Sequence, residues 1–543
     1  MPTLIEQNAS WKEKSNAKKA SVLNDVPSQF LHPELCFSDY DPNPVFDIPA
    51  SLLSAKELEI TALDATELVK AIAKGTYTAV RVLDAFTHRA VIAHRLLNCC
   101  LEFRYQDARA EAEQLDHYLR ESGKTKGPLH GLPISVKDQC RIIGTETTCG
   151  FVSQIGVIDS ENSTLVDVLA DAGAVIFVKT SLSIGCLWGE TINKLIDSSI
   201  IGHTSNPFNR SFSCGGSSGG EGALLAYQGL WGLRPSIGRI PYHRMLNAME
   251  GNEIIESVVG PMSHSSKSLE LFTKTVVDSQ PWLHDPKCHP IPWRAGKLDD
   301  ILSGRSLRIG LMPWDDCVLP QPPIRRAMRE IESKLKAAGH EVIPWKLDQK
   351  YALELLTTAI TSDGRGDVDR TMAKSGEPGL GLSFRPGQKP LTILEAWELT
   401  MKRVDFRASV LEQWNATRKD ASRLMDAYIT AINPSVAFMH GEQKRTRYVA
   451  YTGTVNLLDF TACTIPVTFV DSDMDLPDHP EGNFDAAGQP IPSPRSDLDA
   501  AVRKNYEPGR YKGLPVAVQV VGRRLEEEKV LGIAQVLQKL LGS

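Results

Sequence analysis

The chain reads as an α/β protein, and three observations carry that reading. Short runs rich in Val and Ile, such as "LPISVKD" and "GAVIFVKT", have the length and composition of buried strands. Between such runs lie longer segments with apolar residues three to four apart, the period of a helix packed on one face. The two kinds of segment alternate, as they do where helices cover a substantially parallel sheet.

Taken in order, residues 1–60 are expected to form a mostly helical arm ahead of one large domain, 61–543. From Ala62 to about Gly123 the pattern is helical, with an interruption at Gly75. "LPISVKD" then predicts a short buried strand that ends in a charge. "TLVDVLADAGAVIFVKT" predicts a helix, a stop at Gly173 and a second buried strand, again ending in lysine. "SKSLELFTKTVV" is a further helix and "LRIGLMPW" a strand. In "PIRRAMREIESKLKAAGHEVIPW", Pro323 near the start and Gly339 past the end bracket a helix that leads into a strand. Residues 363–391 and 471–512, rich in Gly and Pro, read as long surface excursions. "PVAVQVVG" and "EEEKVLGIAQVLQKLL" close the chain as strand and helix.

Composition narrows the function. A chain of 543 residues can bury a sizeable core, and its net charge of −6 comes from acids and bases mixed along its length. No basic block interleaved with aromatics suggests a nucleic-acid groove. The ten cysteines follow no metal-ligand spacing, so a metal site is not expected. Adjacent Cys99 and Cys100 do not suit an ordinary disulfide, and free thiols in a reducing compartment are the simplest reading. The N-terminal stretch has no apolar core of a secretory signal. The longest apolar run, around Ala172 to Val178, is too short to span a bilayer. A cytoplasmic protein without a transmembrane segment is expected, and a homodimer stays open.

Two places can carry chemistry. Lys137 ends the strand "PISVK". It could simply extend its ammonium to water from a strand end, or be desolvated enough to act as a base. Asp138 could pair with it or cap the next turn. The second place is Gly215-Gly216-Ser217-Ser218-Gly219-Gly220. Read as composition it is a flexible linker. Yet it is short and runs into "EGALLAYQ", a strong helix former. A glycine loop that opens a helix aims backbone N–H groups at a ligand. It is not a phosphate loop, because no GK[ST] follows.

"PLHGLPISVKD", "GAVIFVKT", "NPFNRSFSCGGSSGGEGALLA", "GLRPSIGRIPY", "SVVGPMSHS" and "GLPVAVQVVGRRLEEEKVL" follow one another in this chain. In that order they resemble the amidase signature family, in its fungal acetamidase-like branch, which is similar to fatty acid amide hydrolase. The resemblance spans roughly residues 60 to 540. It implies the amidase-signature fold, a twisted mixed β-sheet core covered by helices. It also implies hydrolysis of a small-molecule carboxylic amide to an acid and ammonia or an amine, by a Ser–cis-Ser–Lys triad without a cofactor. Residue by residue, it implies Lys137 as the base and Ser217 as the bridging serine on a cis peptide.

The family continues from this helix into a strand and a turn of the form G-T-D-x-G-G-S-x-R-x-P. The last serine of that turn is its nucleophile, and the backbone N–H groups before it form the oxyanion hole. Here the helix reaches Gly229 and passes directly to Leu230-Trp231-Gly232-Leu233. An internal deletion near 229/230 is therefore expected, and with it loss of the nucleophile. Upstream, "NKLIDSSIIGHTSNP" is longer than the family pattern. Ser218 and Ser236 are the candidate substitutes, but neither brings an oxyanion hole, and losing one such donor alone can cost about 100- to 1000-fold in rate. Three readings stay open: an amidase that lost a segment through a splicing or gene-model error, an inactive homologue acting as a binding protein, and a hydrolase with a substitute serine. Cys186, Trp188 and Ser218 are the expected substrate contacts.

Overall fold

The computed structural model describes residues 10–37, 41–186, 200, 202–225, 230–377, 389–418, 423–479, 484–486 and 488–542. Among these residues the strands are β1 (Cys100–Phe103), β2 (Pro133–Lys137), β3 (Val175–Thr180), β4 (Ser205–Asn206), β5 (Asn209–Ser213), β6 (Trp231–Arg234), β7 (Met262–Ser263), β8 (Arg308–Met312), β9 (Glu341–Pro344), β10 (Ala427–Ala431), β11 (Ala462–Phe469) and β12 (Pro515–Val521). They form a three-stranded sheet in the order β1-β3-β2, a seven-stranded sheet in the order β7-β6-β11-β12-β10-β8-β9, and the hairpin β4-β5. Pairs β2/β3, β8/β9 and β8/β10 are parallel, and the remaining pairs are antiparallel. The core is thus mixed rather than substantially parallel.

The predicted strands at 133–137, 175–180, 308–312, 341–344 and 515–521 are all present. The stretch expected to be helical from Ala62 to Gly123 is broken by a strand. Asn98, with φ of 57°, ends the helix Ala79–Leu97 in the left-handed region, and β1 follows at once, antiparallel to β3. A four-residue strand between two long helices leaves little periodicity of its own, and its pairing with β3 decides its conformation. The excursion at 363–391 carries a helix, Gly366–Ala373, and that at 471–512 carries Asp497–Lys504.

Helices cover both sheets. Pro322–Ala337 and Glu527–Leu541 place Ile324, Ile331, Leu335, Leu531 and Leu537 against inward residues of β8, β10 and β12. The small sheet packs on Ala79–Leu97 and Tyr105–Ser122. Val22, Val26 and Phe30 from the first sixty residues join that same cluster, so those residues are bound into the body.

Among the described residues the two sheets do not join. β2 ends one and β7 ends the other. Both line a cavity of about 270 Å³, walled by apolar side chains that include Leu68, Phe86, Leu132, Leu165 and Phe272. The helix Gly219–Leu225 touches β2 and β7 alike. Facing strand edges over an apolar hollow is an arrangement proteins ordinarily avoid, because it leaves backbone hydrogen-bonding groups without a ladder partner.

Candidate active site

Lys137 is the last residue of β2, and Ser217 sits in the glycine loop that opens the helix Gly219–Leu225. Lys137 Nζ donates to Ser217 Oγ at 2.8 Å. The two residues are eighty positions apart in sequence, and tertiary structure alone joins them. Lys137 is half-buried. The Gly216–Ser217 peptide is cis, and Gly215 before it has φ of 83°, a conformation open to glycine without strain. The Ser217 carbonyl accepts from Ser183 N at 3.1 Å, and the Ser218 carbonyl from Gly222 N at 3.0 Å.

Gly220 seats the loop. A Cβ there would lie 2.4 Å from Ser181 N and 2.5 Å from Cys99 O. Only glycine permits that approach, and Gly220 N donates to Ser181 O at 2.9 Å. Glu221, next on the helix, accepts from Ser135 Oγ of β2 at 2.7 Å and from Thr180 Oγ1 of β3 at 2.9 Å. Burial pushes its carboxyl pKa up, against the opposing pull of those hydroxyls and of Lys137.

Asp138 does not pair with Lys137. Its carboxylate lies 3.5 Å from the Lys179 ammonium, and it accepts from Thr148 N, Thr148 Oγ1 and Cys149 N at 2.9, 2.6 and 2.9 Å. It therefore fixes the turn at 147–149, the capping alternative.

Lys137, Ser217, Ser218 and Cys186 share a cavity of about 1110 Å³ with Gln139 and Tyr242. Its far wall comes from the seven-stranded sheet and its helices, with Thr464, Gln519 and Asn456. Gln139 Nε2 donates to the Tyr242 phenolic oxygen at 2.5 Å. Of the expected substrate contacts, Cys186 and Ser218 line this space, while Trp188 and most of the long stretch at 193–207 lie outside the described residues. Ser236 is elsewhere engaged: its Oγ meets Thr461 Oγ1 at 2.9 Å and accepts from Leu525 N at 2.7 Å, with the side chain closed to solvent. Sequence reasoning missed Glu221, Gln139, Tyr242 and Cys149. Its place beside the glycine loop is the one signal that points to Glu221, whereas its partners Ser135 and Thr180 arrive from strands far away in sequence.

The amidase family model matches residues 81–229 and 225–531. The chain is 39% identical to the acetamidase of Emericella nidulans and 37% identical to that of Aspergillus oryzae, each over 98% of this chain and 99% of the relative. In three dimensions it is similar to fatty acid amide hydrolase, with a TM-score of 0.86 and 28% identity over 99% of this chain and 96% of that one. A family match across most of the length, full-length fungal relatives and a shared fold together make this chain a member of the amidase signature family.

Proposed function

We propose that this chain holds the base and the relay of a hydrolase for linear carboxylic amides, and that it lacks the segment bearing the nucleophile. The observation that carries the first half is the 2.8 Å bond between Lys137 and Ser217 on the wall of the large cavity. The acetamidase relatives and the similarity to fatty acid amide hydrolase support an amide as the substrate class. In the complete relay, a serine hydroxyl attacks the amide carbonyl while its proton passes to Ser217 Oγ. Ser217 passes its own proton to the neutral amine of Lys137. A serine hydroxyl is a poor nucleophile until its proton has a destination, and this path supplies one. The amine leaves with a proton returned along the same path, and water then releases the acid from the acyl-enzyme.

Four observations support the second half. The family match breaks into two pieces that meet at 225–229. The alignment with the Emericella acetamidase runs over 564 residues, longer than this chain's 543. Only five positions, 226–230, separate the end of the described helix at Leu225 from the start of β6 at Trp231. The edges of β2 and β7 face a hollow between the two sheets. Cytoplasmic residence and a helical arm ahead of a domain at 61–543 belong to the same proposal. Ten free cysteines support the former.

The test is ammonia release from a panel of short aliphatic and aryl amides. This chain is expected to show none above background. A chain with a strand and a G-T-D-x-G-G-S-x-R-x-P turn inserted between Gly229 and Leu230 is expected to gain turnover that depends on the inserted serine. Turnover by the uninserted chain that is abolished by Ser217→Ala or Ser218→Ala would overturn this reading in favour of a substitute serine. A second reading, an inactive homologue retained as a binding protein, is favoured by one observation: a cavity of about 1110 Å³ lies beside Ser217, large enough for a small-molecule ligand. The transcript across Gly229/Leu230 separates the two.

A further inference from the structure

Two turns meet beside Lys137. One, at 147–150, is fixed by Asp138, and the other, at 183–186, follows β3. Gly185 N donates to Cys149 O at 2.8 Å, and a Cβ on Gly150 would lie 2.9 Å from Ile184 Cα, so the turns are tightly docked. The docking brings Cys149 Sγ and Cys186 Sγ to 3.5 Å. Cys149 is fully buried, whereas Cys186 is half-buried and lines the large cavity. Cys186 Sγ also lies 3.3 Å from Gln139 Oε1.

The two thiols are electrostatically unequal. The hydrogen bond from Cys149 and then the charge of Lys137 draw the Cys186 thiol pKa down, with Asp138 and burial opposing. The same bond to Cys186, and then burial, hold Cys149 well above its ordinary value. A second thiol pair provides a contrast. Cys99 and Cys100 approach to 3.8 Å, but both are fully buried, do not line this cavity, and are adjacent in sequence, which strains a disulfide.

We propose that Cys186 and Cys149 form a hydroperoxide-sensitive pair on the wall of the active-site cavity, with Cys186 as the reacting thiol and Cys149 as its resolving partner. The Cys186 thiolate attacks one oxygen of the hydroperoxide. The O–O bond breaks, Cys186 becomes a sulfenic acid, and the other oxygen leaves as hydroxide or alkoxide and takes up a proton. The Cys149 sulfur then attacks the sulfenic sulfur. The S–S bond forms, the S–O bond breaks, and the departing hydroxide leaves as water with the Cys149 proton. The pair gives two electrons, which reduce the peroxide, and two equivalents of a low-molecular-weight thiol return the disulfide to two thiols and leave as their own disulfide. An accessible low-pKa cysteine beside a resolving cysteine is the arrangement such chemistry requires. The disulfide would tie the turn that Asp138 holds to the loop after β3, beside Lys137.

The experiment needs no amidase activity. The full chain is titrated with hydrogen peroxide, remaining thiols are alkylated with iodoacetamide, and peptides are read by mass spectrometry. Exposed Cys36 serves as the ordinary thiol in the same molecule. Cys186 is expected to be oxidised about tenfold faster than Cys36, and the first disulfide to link the peptides of Cys149 and Cys186. Cys149→Ser is expected to stop Cys186 at the sulfenic acid, trapped by dimedone, and Cys186→Ser to leave Cys149 reduced. The preference should vanish in guanidinium, where the docking is lost. Oxidation of Cys186 at the rate of Cys36 in the native chain, or a first disulfide between other cysteines, overturns the proposal.

Discussion

Asp138 and Lys179 form an ion pair at 3.5 Å with both side chains closed to solvent, and the same carboxylate orders the turn beside the candidate site. Lys179 also donates to Thr147 Oγ1 at 2.6 Å, so the pair sits inside a hydrogen-bonded cage. Removing one charge would strand the other. Asp138→Asn is expected to cost about 3–5 kcal/mol of stability, the usual penalty for breaking a buried pair. Equilibrium unfolding in guanidinium checks this. Asp138→Asn with Lys179→Met should cost less than Asp138→Asn alone, and a double variant that is worse than the single one would contradict the pairing.

The relay makes a kinetic prediction for the chain carrying the inserted segment. There, Lys137→Ala should lower kcat for amide hydrolysis by about 100- to 10,000-fold, the range for losing a positioned acid–base group. Ser217→Ala should fall in the same range, and the double variant should be scarcely worse than either single, because groups acting as one unit are not additive. Independent, multiplying effects would mean that the two do not share a proton path.

The hollow between β2 and β7 makes a prediction about stability. A strand inserted at 229/230 should give both edges ladder partners and fill apolar space now unoccupied by protein atoms. The inserted chain should melt several degrees higher, since about 1 kcal/mol corresponds to a few degrees in a protein of this size. Without the insertion, the chain is expected to be poorly soluble or unstable. A cooperative melt of this chain at a temperature equal to or above that of the inserted one would count against the hollow as the seat of a strand.

Glu377 sets a pH dependence. It is buried, accepts from Val152 N at 3.1 Å and from Ser375 Oγ at 3.0 Å, and burial pushes its carboxyl pKa up to about 7 from 4.5. Between those values the folded chain holds a proton that the unfolded chain has released. Stability should therefore fall as pH rises from 4.5 to about 7, by up to about 1.4 kcal/mol per unit, and level off above. Denaturant unfolding across this range, compared between this chain and Glu377→Gln, isolates the contribution. An unchanged slope in the variant would assign the dependence to other groups.

The strands at 133–137 and 175–180 were legible because each is a short β-branched run closed by a lysine, bounded by glycine or turn residues. β1 was not, because "CLEF" has too few residues to show a period and borrows its conformation from β3. The split of the core into two sheets lies beyond local pattern altogether, since it depends on which edges meet. At the site, Lys137 and Ser217 could be paired through the order of motifs in the chain. Glu221, Gln139 and Cys149 could not, because their neighbours come from Thr180, Tyr242 and Cys186, each brought in by the fold. The same holds for Asp138, whose partner Lys179 belongs to the adjacent strand.

The contact of Gly220 with the backbone of Ser181 and Cys99 has one more consequence. It clamps the serine loop to the small sheet, the sheet that also carries Lys137. The distance between base and relay is thus set within one half of the molecule. The chain enters the seven-stranded sheet only at β6, beyond the helix Gly219–Leu225, so the Lys137–Ser217 geometry does not depend on how the two are connected. A change of length at that junction would therefore leave the spacing of lysine and serine untouched.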